Sequence, residues 1–253
     1  MMRKPAGNPL AAPCSRRRWL RGAAALAGGL ALQVTAAWAA PPPKESGLSF
    51  EGLLKREPGF QPRRPAPLAY DALPGLLSAT QIARAYAAYR GAFADLLEAE
   101  RRLASAPRDA AHAAQYGALR RKQIRAANAV LLHEFFFRNL APKPVAPPPY
   151  VLANIHEHMG AFASWREDFI ACARVAGAWA ALVYDPYDDR WHNAPLNAGD
   201  AGGWVGANPL VVAAVAEEAW SPEYPHRDAW MAAFVEHIDW RVVAARYRAA
   251  DRQ

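Results

Sequence analysis

The sequence predicts an α+β fold: a long N-terminal helical hairpin, then an α/β domain with a small antiparallel sheet of about three strands. Three observations lead there. Two long stretches, beginning at Ser78 and near Ala110, carry apolar residues at helical spacing and are parted only by a short break at Pro107 and Asp109. The proline-rich run "APKPVAPPPY" (141–150) then stops the second stretch and marks a boundary. Beyond it the helical period gives way to short, apolar, turn-bounded segments of strand character.

Each element has its own signal. Ser78 offers an N-cap, and Ile82, Tyr86, Tyr89, Phe93, Leu96 and Leu97 follow on one helical face. The second helix, over about 110–140, is expected to turn Tyr116, Leu119, Ile124, Val130, Leu131 and Phe135 inward. Two antiparallel helices joined by so short a turn make a hairpin. Helices over 149–159 and 162–176 are separated at Gly160. "GAWAALVYDP" and "RWHNAPL" flank the turn "DPYDD" as a β-hairpin, and "NPLVVAAVAEEAW" reads as a third strand running into a helix. Helices near 227–238 and 239–249 complete the chain. The expected organisation is an export signal (1–39), a proline-rich linker (40–67), the helical hairpin (68–145) and the α/β domain (146–253).

The N-terminus reads as an address. Ser15, Arg16 and Arg17, followed by Trp19, Leu20 and Arg21, match the twin-arginine export pattern. An alanine- and leucine-rich stretch and the small-x-small site Ala37-Trp38-Ala39 follow. Of the 30 basic residues, six lie before residue 40, so cleavage after Ala39 leaves 24 against 23 acidic residues, a formal net of +1. The chain's high pI therefore belongs to the signal, and no nucleic-acid partner follows from it. No apolar run beyond the signal reaches membrane-spanning length, so no membrane partner is expected once it is cleaved. Cys14 leaves with the signal. Cys172 remains alone and forms no internal disulfide, in a destination expected to be periplasmic or extracellular.

Several separated segments, covering nearly all of 68–249, resemble the iron/manganese superoxide dismutase family. "DALPGLLSATQI" is similar to the opening of the family's first helix. "HEFFFRNLAP" resembles its His-x-aromatic-aromatic-Trp-x-x-Leu-x-Pro block, and "GAFASWREDF" its Phe-Gly-Ser-Phe helix start. "AGAWAALV" resembles its Gly-x-Gly-Trp-x-Trp-Leu strand, and "NAG" with "PLVVAAVAEEAW" the approach to its Asp-x-Trp-Glu-His-Ala motif. The resemblance implies one redox-active iron or manganese held by three histidines and an aspartate, with an open position for superoxide.

Carried over residue by residue, the resemblance places the four ligand positions at Ala85, His133, Ala214 and Glu218. One imidazole is kept, one histidine has become a carboxylate, and two positions have no donor atom. The family's gateway histidine and tyrosine fall on Tyr89 and Phe93. The residue near the second-helix ligand is Ala129, and the cage residue Trp179 is kept while its partner is Ala181. Tyr89 could supply a hydroxyl near the lost relay. His133 and Glu218 are the candidate metal residues, and no catalytic residue is assigned. They could equally close on each other in a charge-assisted hydrogen bond without metal.

From this the expectation is no cofactor, with iron or manganese as the alternative. The first reading is an exported, degenerate homologue whose binding or structural role uses the cavity left between the domains. The alternative is an active dismutase, with superoxide as substrate, acting through a rearranged site. A homodimer is possible but doubtful, because the family's subunit pairing would set Glu217 against Glu218. Other clusters weigh less. His156 and His158, at i and i+2, point to different helix faces and are expected at the surface. His192, His226 and His237 are expected to have no chelating partner. Asp185, Asp188 and Asp189 are expected to be solvated turn residues without the spacing of a calcium loop.

Overall fold

A computed structural model describes residues 65–198, 203–221 and 223–251. The expected signal (1–39) and the linker (40–67) up to residue 64 lie outside the described residues.

Helix α1 spans Ala79–Ser105 and opens on a complete capping box, in which the Ser78 side chain accepts from the Gln81 N–H and the Gln81 side chain accepts from the Ser78 N–H. It stops because Pro107 forces the preceding residue out of helical space. Ala106 is accordingly extended, with ψ 132°. The Asp109 side chain then caps a single 3-10 turn, Ala110–His112, that feeds α2, Ala113–Arg138. Pro149 at the first position starts α3, Pro149–Met159, and Gly160 ends it with a φ of 83° that only glycine adopts freely. Helix α4 covers Phe162–Val175.

The sheet follows as expected. Strands β1 (Trp179–Asp185), β2 (Arg190–Leu196) and β3 (Asn208–Ala214) are ordered β2-β1-β3, and both pairings are antiparallel. Every residue of the central strand β1 is buried, because α2, α4 and α7 pack against the sheet. Its register against β3 shifts between Leu182 and Val183, where Pro209 has no N–H to give the ladder. A short helix α5, Glu217–Trp220, precedes α6, Arg227–Glu236, and α7, Trp240–Ala250. Trp165, Phe169, Trp230 and Phe234 are fully buried among these helices.

The inward face of α2 departs from expectation. Leu119 and Val130 are buried, but Ile124 is 51% exposed and Tyr116, Leu131 and Phe135 are only half-buried. Ala126, Phe136 and Phe137 take the interior instead. The helix mixes alanines with basic residues, so size cannot reveal the face: a small residue faces inward where the neighbouring helix comes closest.

Asn139 ties the halves together. It is fully buried just past the end of α2. Its Nδ2 donates to the Phe136 carbonyl at 3.1 Å, while its Oδ1 accepts from the Val212 N–H in β3 at 2.8 Å and from Arg246 Nη1 in α7 at 3.5 Å. Its own carbonyl accepts from the Asp239 N–H at 2.9 Å. Arg246 extends the tie by donating to the Leu210 and Phe135 carbonyls. Asn139→Ala strands a buried strand N–H, so it is expected to cost about 2–4 kcal/mol. Ser78→Ala, at an accessible cap, is expected to cost about 1 kcal/mol. Urea denaturation of both variants checks the order, and equal losses would remove Asn139 from its central place.

Candidate functional site

Four elements bring the four carried-over positions to one place. Ala85 comes from α1, His133 from α2, Ala214 from the end of β3 and Glu218 from α5, and all four line a single cavity of about 480 Å³. Its inner end is formed by buried Phe136, Ala178, Trp179 and Ala214, and its outer part by exposed Arg84, Arg125 and Glu218.

His133 is half-buried. Its Nδ1 lies 2.7 Å from the Ala129 carbonyl one turn earlier, a contact that places the proton on Nδ1 and leaves Nε2 as an acceptor. Burial holds its pKa below the usual histidine value, opposed only by that carbonyl, so the ring is neutral. Trp179 meets it edge-on at 4.9 Å between ring centroids, and Tyr89 and Phe137 close around it at 6.1 Å. Among the described residues, Nε2 has no hydrogen-bond partner. The aromatic run Phe135–Phe137 is thus partly explained: Phe136 walls the cavity and Phe137 packs on the histidine.

Two contacts expected at this site are not made. Glu218 is exposed, and neither nitrogen of His133 reaches it within hydrogen-bond distance, so the pair does not close the cavity; α5 instead presents the Glu218 backbone, whose carbonyl accepts from Arg84 at 3.3 Å. Tyr89 does not restore a relay hydroxyl there either. It is buried, donates to Glu134 at 2.7 Å and accepts from the Ala66 N–H at 2.9 Å. Its pKa is raised far above the ordinary tyrosine value, chiefly by burial, with the Glu134 carboxylate adding to the effect.

The donor set does not fit a centre of four protein ligands. Ala85 and Ala214 offer methyl groups, Glu218 an exposed carboxylate and His133 a single imidazole nitrogen. Two scattered donors hold a divalent ion weakly beside four preorganised ones.

The remaining histidines are placed differently from one another. His156 is exposed as expected, but His158 is half-buried and its Nδ1 accepts from the Trp191 N–H at 3.1 Å. His226 caps α6 by accepting from the Ala229 N–H, and Nδ1 of His237 bonds the Ala233 carbonyl. His192 departs from expectation. Its Nε2 lies 2.8 Å from Asp188 Oδ2, its ring stacks on Trp204 at 4.3 Å, and with Asp185 it forms a group of metal-capable atoms within 4.8 Å of one another. Asp185 is therefore no solvated turn residue: it is 5% exposed and accepts from Trp204 Nε1 and the Tyr187 N–H. The turn of the hairpin brings Asp188 onto His192, four residues on, where an extended strand would hold them apart.

The cavity also takes in residues that sequence reasoning passed over. Lys122 and Arg125 stand on the same α2 face as Ala126, Ala129 and His133, a spacing of three to four residues that was open to view.

Comparison with known proteins agrees with this fold. The family model described as iron/manganese superoxide dismutases, C-terminal domain, matches residues 147–246. The manganese superoxide dismutase 2 of Halobacterium salinarum is 31% identical over 184 residues, which is 72% of this chain and 92% of that protein. The chain belongs to the iron/manganese superoxide dismutase family. The manganese superoxide dismutase 2 of Haloferax volcanii is 29% identical over 74% of this chain and 94% of its own length, and the iron superoxide dismutase of Cupriavidus metallidurans is 28% identical over 138 residues. These relatives are named as manganese or iron enzymes, which overturns the expectation that this family member carries no cofactor. The Asp185, Asp188 and His192 group is a second place that could hold a cation.

His158 yields a pH prediction. Burial is the largest influence on it and lowers its folded pKa; Glu157, Asp188 and Asp189 oppose that shift and Arg190 adds to it. The unfolded chain therefore takes up this proton at a higher pH than the folded one, and stability is lost as pH falls below the ordinary value of 6.5. Melting temperature measured from pH 7.5 to 5 is expected to fall less steeply in His158→Gln than in the parent. Identical slopes would show that this ring carries none of the dependence.

Proposed function

We propose that this family member does not assemble the four-ligand dismutase centre in its cavity and uses that cavity as a binding site. The observation that carries this reading is the convergence of Ala85, His133, Ala214 and Glu218 on one cavity with a single imidazole among them. Side chains that would grip a metal in the family have been replaced by methyl groups that make room. The size of the cavity is in the range used by small-molecule sites, which combine apolar walls with a few polar groups.

One observation favours a second reading, dismutation of superoxide at a rearranged iron or manganese site. His133 keeps its ring orientation through the Ala129 carbonyl and presents a bare Nε2, as a ligand histidine does. Protein from cells supplied with both metals separates the two. The first reading expects superoxide decay no faster than in His133→Ala. Iron or manganese near one per chain, with decay lost in His133→Ala, would establish the second reading instead. The triple variant Ala85→His, Ala214→Asp, Glu218→His is expected to hold iron or manganese in this cavity more tightly and at higher occupancy than the parent. No gain in a folded triple variant would mean that more than the ligands has changed.

We also propose twin-arginine export to the periplasm, supported by the Ser15–Arg21 pattern and the site at Ala37–Ala39. Arg16→Lys with Arg17→Lys is expected to hold the protein in the cytoplasmic fraction. Export unchanged in that variant would point to another route.

A further inference from the structure

The cavity is a groove with a direction. Along α1 it follows Ala85, Ala88, Ala92 and Asp95, and along α2 it follows Lys122, Ala126, Ala129 and His133. The two helices run antiparallel, so Ala85 and His133 mark one end while Asp95 and Lys122, paired at 2.8 Å, mark the other. The helical rise from Arg125 to His133 is about 12 Å, and from Lys122 to His133 about 16 Å. The space is thus elongated and its flanks are methyl groups.

Its two ends differ in what they ask of a ligand. At the inner end, Nε2 of His133 is an unshared acceptor beside Trp179 and Phe136, and it requires a donor. Along the rim stand Arg84, Lys122 and Arg125 against Asp95 and Glu218, one positive charge in excess. The Lys122 charge is answered by Asp95, and the Arg84 guanidinium is held by the Glu218 and Ser221 carbonyls. Arg125 is exposed and, among the described residues, has neither an ion pair nor a hydrogen bond. Its charge remains for a ligand.

We propose that the groove binds an elongated amphiphilic anion, with an anionic head at Arg125, an apolar body along the alanines and a hydroxyl or N–H donor against His133 Nε2. The inference rests on the reading of the cavity as a binding site and adds the ligand's chemical class. At about 1.2 Å per chain atom, about ten atoms match the rise of α2 from Arg125 to His133, which sets the chain length to test. Aliphatic hydroxycarboxylates of that length meet all three requirements. A metal-free anion of a few atoms meets neither the length nor the apolar walls.

Calorimetric titration of the purified protein with 10-hydroxydecanoate, decanoate and 1,10-decanediol tests the assignment. 10-Hydroxydecanoate is expected to saturate one site per chain, with decanoate and the diol each about three- to tenfold weaker, the factor for one lost hydrogen bond or exposed charge contact. His133→Ala should bring decanoate level with the hydroxyacid, Arg125→Gln should bring the diol level with it, and Ala214→Leu should abolish all three by filling the inner end. If His133→Ala fails to fold, the ranking in the parent protein decides. Equal affinities for the three probes, or no saturable binding in a protein without dismutase activity, would overturn the assignment and leave the cavity reading standing. His133-dependent superoxide decay with bound metal would overturn the cavity reading itself.

Discussion

The architecture depends on one buried amide. Asn139 stands where α2 ends, and its hydrogen bonds reach its own helix, the middle of β3, the start of α7 and the Arg246 side chain. Each of these groups is removed from water, so each needs its partner. The consequence is positional. With the C-terminus of α2 fastened to Val212, His133 on the last turns of α2 faces Ala214, two residues further along β3. The spacing between hairpin and sheet that defines the cavity is therefore set by a contact outside it. Substitution at the ligand positions can proceed without collapse because the frame is held elsewhere.

That separation gives a physical account of how the site can change while the fold does not. On the proposed reading, alanine at positions 85 and 214 in place of a histidine and an aspartate removes polar groups that would be costly to bury without a metal or another partner. The methyls left behind carry no such requirement. His133 differs because the Ala129 carbonyl satisfies one nitrogen and the aromatic rings of Tyr89, Phe137 and Trp179 hold the plane. It remains a tolerable neutral residue in a mostly apolar place. Tyr89 and Glu134 show the opposite solution, in which two polar groups at the hairpin interface satisfy each other.

What the sequence made legible was mostly local. The Ser78 cap, the break at Pro107, the start at Pro149 and the stop at Gly160 each follow from backbone chemistry within a few residues. The β-hairpin and its turn were readable from apolar runs bounded by aspartates and proline. Contacts distant in the chain were not, and the Asn139–Arg246–Leu210 tie joins residues whose spacing carries no pattern. The inward face of α2 was misread because Ala126 rather than Ile124 fills it, and alanine gives no sign of which way it points. For the site, family resemblance gathered four positions that no spacing rule connects, and all four lie on one cavity. The spacing of Asp188 and His192, four apart, is visible in the sequence, but only the closed turn of the β-hairpin brings their side chains together.

The function of the cavity turns on one atom, Nε2 of His133, and what stands against it. Anomalous diffraction at the iron and manganese edges, from crystals of protein made with both metals supplied, tests it most directly. The proposed reading predicts no metal centre with four protein ligands there: any iron or manganese at bonding distance, about 2.0–2.2 Å, from that nitrogen has no protein donor at Ala85 or Ala214 and is only partly occupied. A fully occupied peak there, completed by Glu218 and solvent, would contradict it.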